Sequence, residues 1–265
     1  MPHTLIPSLD TNTVSQELRR MRRLRPLVHC MTNDVVQEMT ANVLLAAGAS
    51  PAMIVCEEEV MDFVPVVSSV LINVGTLSQE FLNSMKTAAK LATRLGKPWV
   101  LDPVAAGIMP WRDAGLSDLL ALHPTVVRGN ASEIRALAGI GSGGKGVDSQ
   151  DSSDSALEAA KTLATRWETT VCVTGRSDFV TDGTRTLRIT GGNEMATLVV
   201  GTGCSLSALV AAFIAQSDDS LKATASACAL AKKAAELAWK RYQTPGSFKT
   251  AYIDALFELQ PESFS

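Results

Sequence analysis

Short apolar segments of β type alternate with longer helical patterns along most of this chain, and this alternation constrains the fold more than any other feature. Such segments are typical of strands buried on both faces of a parallel sheet, with helices as the connections. Strands are expected at residues 52–55, 70–74, 99–101, 125–127 and 170–173, followed by a hairpin of residues 179–181 and 184–189. The pattern predicts a three-layer α/β fold, a mainly parallel central sheet with helices on both faces, in a single domain of residues 1–265.

Helical patterns occupy most of the intervening sequence. They are expected at residues 15–24, 34–47, 57–66, 78–95, 113–122 and 155–167, and over most of the chain after residue 206. Asp34 is the expected N-cap of the second helix and Gly48 its C-cap, because these residue types favour those positions.

Composition and charge restrict the functions open to the chain. With 265 residues, 46% hydrophobic and 19% charged, it can bury a sizeable core. A net charge of −3 argues against a nucleic-acid partner. The longest apolar stretch, residues 206–215, is too short to span a bilayer, and the N-terminal region lacks a signal-peptide core. Five scattered cysteines without C-x-x-C spacing indicate reduced thiols, so we expect a cytoplasmic protein with no membrane partner.

Residues 201–208, with the sequence G-T-G-C-S-L-S-A, form the most distinctive local motif. Residues 197–200 predict a strand and residues 206–215 a helix, so the motif is expected to be a glycine-rich turn from strand into helix. The first N–H groups of such a helix favour an anion. Gly201 and Gly203 would let the backbone approach a ligand, and Cys204 in the first turn is expected to favour the thiolate. An ordinary turn with a small buried cysteine is the alternative.

Polar residues follow the ends of the predicted strands, where ligands bind in open parallel sheets. They are Gly75, Thr76, Asp102, Arg128, Asn130, Glu133, Thr174 and Gly175. Two carboxylates and an arginine suit a magnesium–nucleotide substrate, because Mg²⁺ prefers one or two carboxylates with phosphate oxygens and water. Each residue alone has another explanation: Asp102 as a turn cap, Arg128 in a surface ion pair, and Glu133 as a helix cap with Asn130.

Two further patterns carry less weight. Residues 139–146 resemble a Walker A loop, but Gly146 replaces the required hydroxyl and a helical run precedes the segment. We expect an exposed loop there, whose Lys145 would touch phosphate if the loop closed over a nucleotide. The three histidines have no metal-ligand spacing, and a Cys–His hydrolase built on His29 and Cys30 is an open but unfavoured alternative.

Eight segments, in order, carry a resemblance to a known family. They are P-L-V-H-C-M-T-N (26–33), A-N-x-L-L-A-x-G-A-S-P-A-M (41–53), N-V-G-T-L (73–77), L-D-P-V-A-A-G (101–107), R-G-N-A-S-E-I (128–134), K-G-V-D (145–148), V-T-G (173–175) and G-T-G-C (201–204). As a set they resemble hydroxyethylthiazole kinase, a family of the ribokinase-like superfamily. The resemblance implies that ATP and Mg²⁺ are used to phosphorylate the hydroxyl of 4-methyl-5-(2-hydroxyethyl)thiazole, a step of thiamine salvage.

The resemblance also implies roles for single residues and an assembly. By resemblance, Arg128 and Thr174 are expected to contact ATP, Met53 and Gly201 the thiazole, and Asp102 and Glu133 the magnesium ion. Asn130 and Gly175 are added to the expected ATP contacts, and Asn33, Gly75 and Thr76 to the expected thiazole contacts. Cys204 stands where most kinases of the superfamily have a catalytic aspartate, and it is expected to accept the proton of the substrate hydroxyl. The family is trimeric, so a homotrimer with sites at subunit boundaries is expected.

Some features depart from the family or leave alternatives. Ala105 replaces a glycine that is common after D-P-V, and residues 139–154 are unusually rich in glycine and serine. A nicotinamide-nucleotide hydrate dehydratase on the same fold is one alternative, but it would be expected to carry aspartate at position 204. Another vitamin-precursor kinase and a non-catalytic ligand-binding relative are the others, and the presence of Asp102, Arg128 and Glu133 favours a catalytic protein.

Overall fold

The computed structural model confirms the predicted fold class with one mainly parallel sheet. It describes residues 6–139 and 156–264. The strands there are β1 (Leu27–Met31), β2 (Ser50–Ala52), β3 (Ser69–Asn73), β4 (Trp99–Asp102), β5 (Val126–Asn130), β6 (Thr170–Thr174), β7 (Asp178–Thr181) and β8 (Thr186–Ile189). Their order in the sheet is β2-β1-β3-β4-β5-β6-β7-β8. Strands β1 to β6 are parallel, and the β7–β8 hairpin adds an antiparallel end.

Helices connect and cover the strands as the sequence pattern predicts. They are α1 (Thr11–Leu24), α2 (Gln37–Ala47), α3 (Glu57–Phe63), α4 (Gln79–Arg94), α5 (Pro110–Leu120), α6 (Ala131–Leu137), α7 (Leu157–Trp167), α8 (Thr202–Ile214), α9 (Ser220–Arg241) and α10 (Pro245–Glu258). Short 3₁₀ turns lie at Val64–Val66, Glu194–Leu198 and Pro261–Phe264. Within residues 6–139 and 156–264, no helix has the length and apolar character needed to cross a membrane.

Successive strand residues contribute to opposite faces of the sheet, which produces the three layers. Leu71 belongs to a core formed with α1, α2, α8, α9 and α10. Its neighbour Ile72 belongs to a second core, on the other face, formed with α3 to α7. Strand side chains on both faces of the sheet are fully buried in these cores. The strand segments are therefore apolar at nearly every position.

One strand was not expected: β1 occupies Leu27–Met31, where the polar residues of V-H-C-M-T-N (28–33) indicate an interruption before a helix, yet the segment is buried between β2 and β3. Three expected elements also differ from the prediction. Residues 197–200 form no strand: the 3₁₀ turn ends at Leu198, Val199 and Val200 follow it, and Leu198 and Val200 are about two-thirds exposed. The strand expected at residues 52–55 lies at Ser50–Ala52 instead. Helix α2 begins three residues later than expected, with Val36 rather than Asp34 at its N-cap, whereas the C-cap Gly48 is confirmed with φ of 105°.

Candidate active site

The parallel strands bring polar residues together at their carboxyl ends. Strands β3, β4, β5 and β6 end at Asn73, Asp102, Asn130 and Thr174. The register pairs Asn73 with Asp102 and Asn130 with Thr174, so neighbouring strand ends lie level. The polar residues predicted at separate strand ends therefore share one end of the sheet.

Arg128 on β5 occupies the middle of this cluster. Its Nη2 donates to Thr174 Oγ1 at 2.6 Å, and its Nη1 lies 3.9 Å from Asp102 Oδ2. Burial works to lower the pKa of the guanidinium, but the surrounding acidic groups, with Asp102 the largest contributor, together outweigh it, and the pKa lies above its ordinary value. With only 11% of the side chain exposed, Arg128 does not form the surface ion pair considered as its alternative role.

Hydrogen bonds connect Cys204 to Asp102 through two asparagines. Asn33 Nδ2 lies 3.6 Å from Cys204 Sγ and donates to Asn73 Oδ1 at 2.9 Å. Asn73 Nδ2 donates to Asp102 Oδ2 at 2.7 Å, and Ser207 Oγ donates to the same oxygen at 2.8 Å. These two side-chain donors fix the orientation of the Asp102 carboxylate. Asp102 is therefore part of a buried hydrogen-bond network and not the turn cap considered as its alternative role.

The Cys204 thiol differs from the sequence prediction in its protonation. Burial raises its pKa to about 11, and the charge of Asp102 adds to the rise, whereas Asn73, Arg128 and Asn33 oppose it. The expectation of a thiolate considered only the field of the helix N-terminus. Burial and a neighbouring carboxylate outweigh that field, so the thiol is neutral at physiological pH.

Glu133 is both a helix cap and a member of the cluster. Asn130 Oδ1 accepts from Glu133 N at 2.9 Å, and Glu133 Oε2 accepts from Asn130 N at 2.8 Å, which completes a capping box. The other oxygen, Oε1, accepts from Ala105 N at 3.0 Å. Burial raises the pKa of the Glu133 carboxyl, and Asp102 raises it further. The capping role considered for this residue is therefore real and coexists with its place beside Asp102.

The glycine turn at residues 201–203 places the N-terminus of α8 beside Arg128. Gly201 is the N-cap, with φ of 93°, and a β-carbon there would lie 3.0 Å from Met39 Cγ. A β-carbon on Gly203 would lie 3.3 Å from Arg128 Nη1. The turn thus combines a helix N-terminus with a buried guanidinium, an arrangement that favours phosphate.

The turn after β3 lies on the Asn33 side of the cluster. Gly75 N donates to Asn73 Oδ1 at 3.1 Å, and a β-carbon on Gly75 would lie only 2.5 Å from Asn33 Cβ. Thr76 Oγ1 accepts from Asp34 N at 3.0 Å, which holds Asp34 in the turn before α2. The structure therefore brings Asn33, Gly75 and Thr76 together on one side of the cluster.

Gly175, at the end of β6, is held by two residues to which the sequence interpretation gave no role. Asp178 Oδ1 accepts from Gly175 N at 3.0 Å, and Lys232 Nζ donates to Gly175 O at 3.1 Å. Lys232 and Asp178 also form an ion pair at 3.2 Å, with side chains 13% and 4% exposed. No sequence signal distinguishes Lys232 from the other lysines of a long helix.

Met53 stands apart from the other predicted site residues. It follows the edge strand β2, and the register places Ala52 level with His29 and Val70, near the start of β3. Two strand spacings, about 10 Å, separate β2 from β3. Lys145 and the Walker-like segment cannot be placed in the same way, because residues 140–155 lie outside the described residues.

The carboxylates suit a magnesium ion that arrives with a nucleotide better than an all-protein metal site. No group of three or more His, Cys, Asp and Glu side chains that could hold a metal occurs among the described residues. Asp102 raises the pKa of Glu133, a like-charge repulsion that a divalent cation would offset. Two carboxylates are sufficient when phosphate oxygens and water complete the shell.

Comparisons with known proteins agree with this geometry. The model of the "Hydroxyethylthiazole kinase family" matches residues 18–262. A hydroxyethylthiazole kinase from Klebsiella pneumoniae is 51% identical over 258 residues, 97% of this chain and 98% of the relative. The solved structure of a hydroxyethylthiazole kinase from Pyrococcus horikoshii is 40% identical, with a TM-score of 0.87 and 93% of each chain covered. A ribokinase-like superfamily protein from Enterococcus faecalis shares the fold at 13% identity, with a TM-score of 0.69 over 100% of this chain and 98% of that one.

Proposed function

This chain belongs to the hydroxyethylthiazole kinase family, and we propose that it transfers the γ-phosphoryl group of ATP to the hydroxyl of 4-methyl-5-(2-hydroxyethyl)thiazole for thiamine salvage. One observation carries the proposal: the Arg128–Asp102 pair lies beside the N-terminus of α8, and hydrogen bonds lead from Asp102 to Cys204. A phosphate-binding group and a candidate acceptor site are thereby adjacent. Phosphoryl transfer needs chiefly this positioning and the neutralisation of charge.

The nucleotide side is assigned to the Arg128 half of the cluster. Arg128 binds phosphate oxygens, Thr174 holds its guanidinium, and Asn130 and Gly175 border the nucleotide. Asp102 and Glu133 would hold Mg²⁺, directly or through water, and the ion would neutralise charge on the phosphates. The N–H groups at the start of α8, after Gly201, bind the transferred group.

The acceptor side is assigned to Asn33, Gly75, Thr76 and Gly201, with Cys204 facing the hydroxyl. The neutral thiol contributes a polar contact to the hydroxyl rather than a strong base. A thiazole offers few polar groups, so its pocket must be largely apolar and must exclude water. Exposed Val200 directly precedes Gly201 in the chain and suits such a pocket once it is covered.

The proposal of a homotrimer with shared sites comes from the family resemblance, and the position of Met53 bears on it. Met53 follows the edge strand β2, two strand spacings or about 10 Å from β3, so it lies at the edge of the sheet rather than in the polar cluster. A neighbouring subunit that supplies Met53 would complete the pocket. Light scattering coupled to gel filtration is expected to give a trimer, and a fully active monomer at assay concentration would contradict shared sites.

A substrate competition assay tests the function. ADP release is measured with ATP, Mg²⁺ and the thiazole alcohol, and separately with pyridoxine and with hydroxymethylpyrimidine. We expect the highest kcat/KM for the thiazole alcohol. Preference for either other alcohol would indicate a different vitamin-precursor kinase, and ATP-dependent dehydration of a nicotinamide-nucleotide hydrate would indicate the dehydratase.

A further inference from the structure

The turn after β4, residues 103–107, is held from one side by the first turn of α5. Arg112 Nη1 donates to Val104 O at 2.8 Å, and Arg112 Nη2 donates to Gly75 O at 2.9 Å. The next residue, Asp113, accepts from Gly107 N at 2.8 Å. One guanidinium thus bridges the loops that follow the neighbouring strands β3 and β4.

The peptide unit between Val104 and Ala105 is held at both ends. Its carbonyl oxygen accepts from Arg112, and its N–H donates to Glu133 Oε1 at 3.0 Å. These two atoms belong to one rigid plane, so fixing the oxygen fixes the direction of the N–H. Arg112 therefore sets where the hydrogen bond to the Glu133 carboxylate points.

Ala105 adopts a strained backbone conformation in this turn. Its φ is 62°, in the left-handed region that is unfavourable for a residue with a β-carbon. Because alanine gains little by staying there, contacts with neighbours must hold the peptide unit in place. The peptide unit itself is bound by Arg112 and Glu133, and a backbone hydrogen bond from Ala106 N to Pro103 O at 3.0 Å closes the turn around it.

We infer that Arg112 is a positioning residue for phosphoryl transfer: it holds the strained 104–105 peptide unit against Glu133 and ties that unit to the acceptor-side loop at Gly75. The part concerning Glu133 in catalysis rests on the proposed function. The two hydrogen bonds from Arg112 to Val104 O and Gly75 O, here called the clamp, do not depend on the proposed function, because they belong to the folded chain.

Amide hydrogen exchange tests the clamp without any substrate. In Arg112→Ala, exchange at the Ala105 amide is expected to be at least tenfold faster, with the melting temperature still well above that of the experiment. Arg94→Ala is the matched control, because Arg94 is an exposed arginine in the last turn of α4. Unaltered protection of the Ala105 amide in Arg112→Ala would overturn the inference. Should Arg112→Ala fail to fold, Arg112→Lys serves in the same measurement, with an intermediate rate expected because one amine replaces a two-pronged donor.

Kinetics then test the consequence for the reaction. Arg112→Ala is expected to lower kcat about 10- to 100-fold, the range typical of residues that orient a site carboxylate, and Arg94→Ala to leave it within twofold. Adding Ala105→Gly to Arg112→Ala is expected to recover at least threefold, because glycine holds the left-handed conformation without support. If the role of Arg112 were purely structural, adding Ala105→Gly would not change the loss of kcat caused by Arg112→Ala, at a temperature where both variants are folded. That result would refute the positioning role.

The two measurements separate this inference from the proposed function. Faster exchange at Ala105 together with a protein that phosphorylates no thiazole alcohol would leave the clamp intact and refute the proposed function. An active wild-type protein whose Glu133→Gln variant is impaired, but whose Arg112→Ala variant behaves as Arg94→Ala does, would refute the positioning role alone.

Discussion

Replacing Cys204 by alanine tests how the acceptor hydroxyl is handled. The pKa of the thiol is about 11, so about one molecule in 10⁴ carries a thiolate at pH 7. If the thiolate were the obligatory base, kcat of the wild-type protein would rise tenfold per pH unit, or about 10³-fold between pH 6 and 9. We expect instead that Cys204 produces no such slope, because the neutral thiol acts as a polar contact.

The size of the effect follows from the contact that is lost. A neutral hydrogen-bonding group contributes about 0.5–1.5 kcal/mol, so Cys204→Ala is expected to lower kcat about 2- to 10-fold. The N-terminus of α8 and Arg128 survive the change, so the phosphate-binding groups remain. Cys204→Asp is expected to be active but below wild type, since a carboxyl in the same place can accept the hydroxyl proton but adds a third buried acid beside Asp102 and Glu133.

The assay is ADP release at saturating ATP and thiazole alcohol, from pH 6 to 9. Cys56→Ala, which removes an exposed thiol in front of α3, is the control. A wild-type slope of one in log kcat against pH, together with a loss of 10² or more in Cys204→Ala, would refute the neutral-thiol interpretation. An alanine variant equal to wild type at every pH would show that Cys204 only packs.

Three further variants test the surrounding residues. Glu133→Gln should lower kcat at least about 10²-fold while thiazole affinity by calorimetry changes less than twofold, and equal losses in both would count against a phosphate-side role. Ala105→Gly should raise the free energy of unfolding by about 1 kcal/mol, since it removes left-handed strain, and a lower melting temperature would exclude that strain. Lys232→Met should lower the free energy of unfolding by about 3–5 kcal/mol and raise the KM for ATP, because it leaves Asp178 buried without its cation; recovery of stability in Lys232→Met with Asp178→Asn is the check.

The sequence predicts the structure well where the residues of a single segment determine that segment's conformation. The strand segments are apolar on both faces, and this alone predicts a parallel sheet covered by helices. Asp102 could be assigned to the ligand-binding end of the sheet because it comes at the end of such a segment. The polar residues at the ends of the other strands were assigned by the same rule. The glycine-rich motif itself singled out Gly201 and Cys204, whereas their roles toward the thiazole alcohol, and the role of Met53, came from the family resemblance.

The prediction failed where the partner of a segment decides its structure. Residues 197–200 have β-branched character, but no strand lies beside them, and Leu198 and Val200 stay exposed. Asp34 suits a helix N-cap, but its N–H is bound by Thr76 from another loop, and the helix begins later. Local preference was correct in both cases and was overridden by tertiary contacts.

Contacts between strands were the part of the site that sequence reasoning missed. Asn73 occurs within the N-V-G-T-L segment, yet nothing in that segment shows that its amide bridges Asn33 and Asp102. Arg112 lies in an ordinary helical pattern, and only the structure places its guanidinium between two carbonyls. A signal was present only for Ala105, whose departure from the family's glycine coincides with a left-handed backbone.

The charge balance of the site gives a physical reason for a thiol at position 204. Asp102 and Glu133 already repel each other in a buried place, with Arg128 as the cation between them. A thiolate would add a third anion where burial makes each charge costly, and it would weaken the attraction of Arg128 for phosphate. The neutral thiol keeps a hydrogen-bonding partner near the acceptor without that cost. Because a loose transition state requires little early removal of the hydroxyl proton, a neutral group is sufficient there, and the positive field of Arg128 and helix α8 stays available for the transferred phosphoryl group.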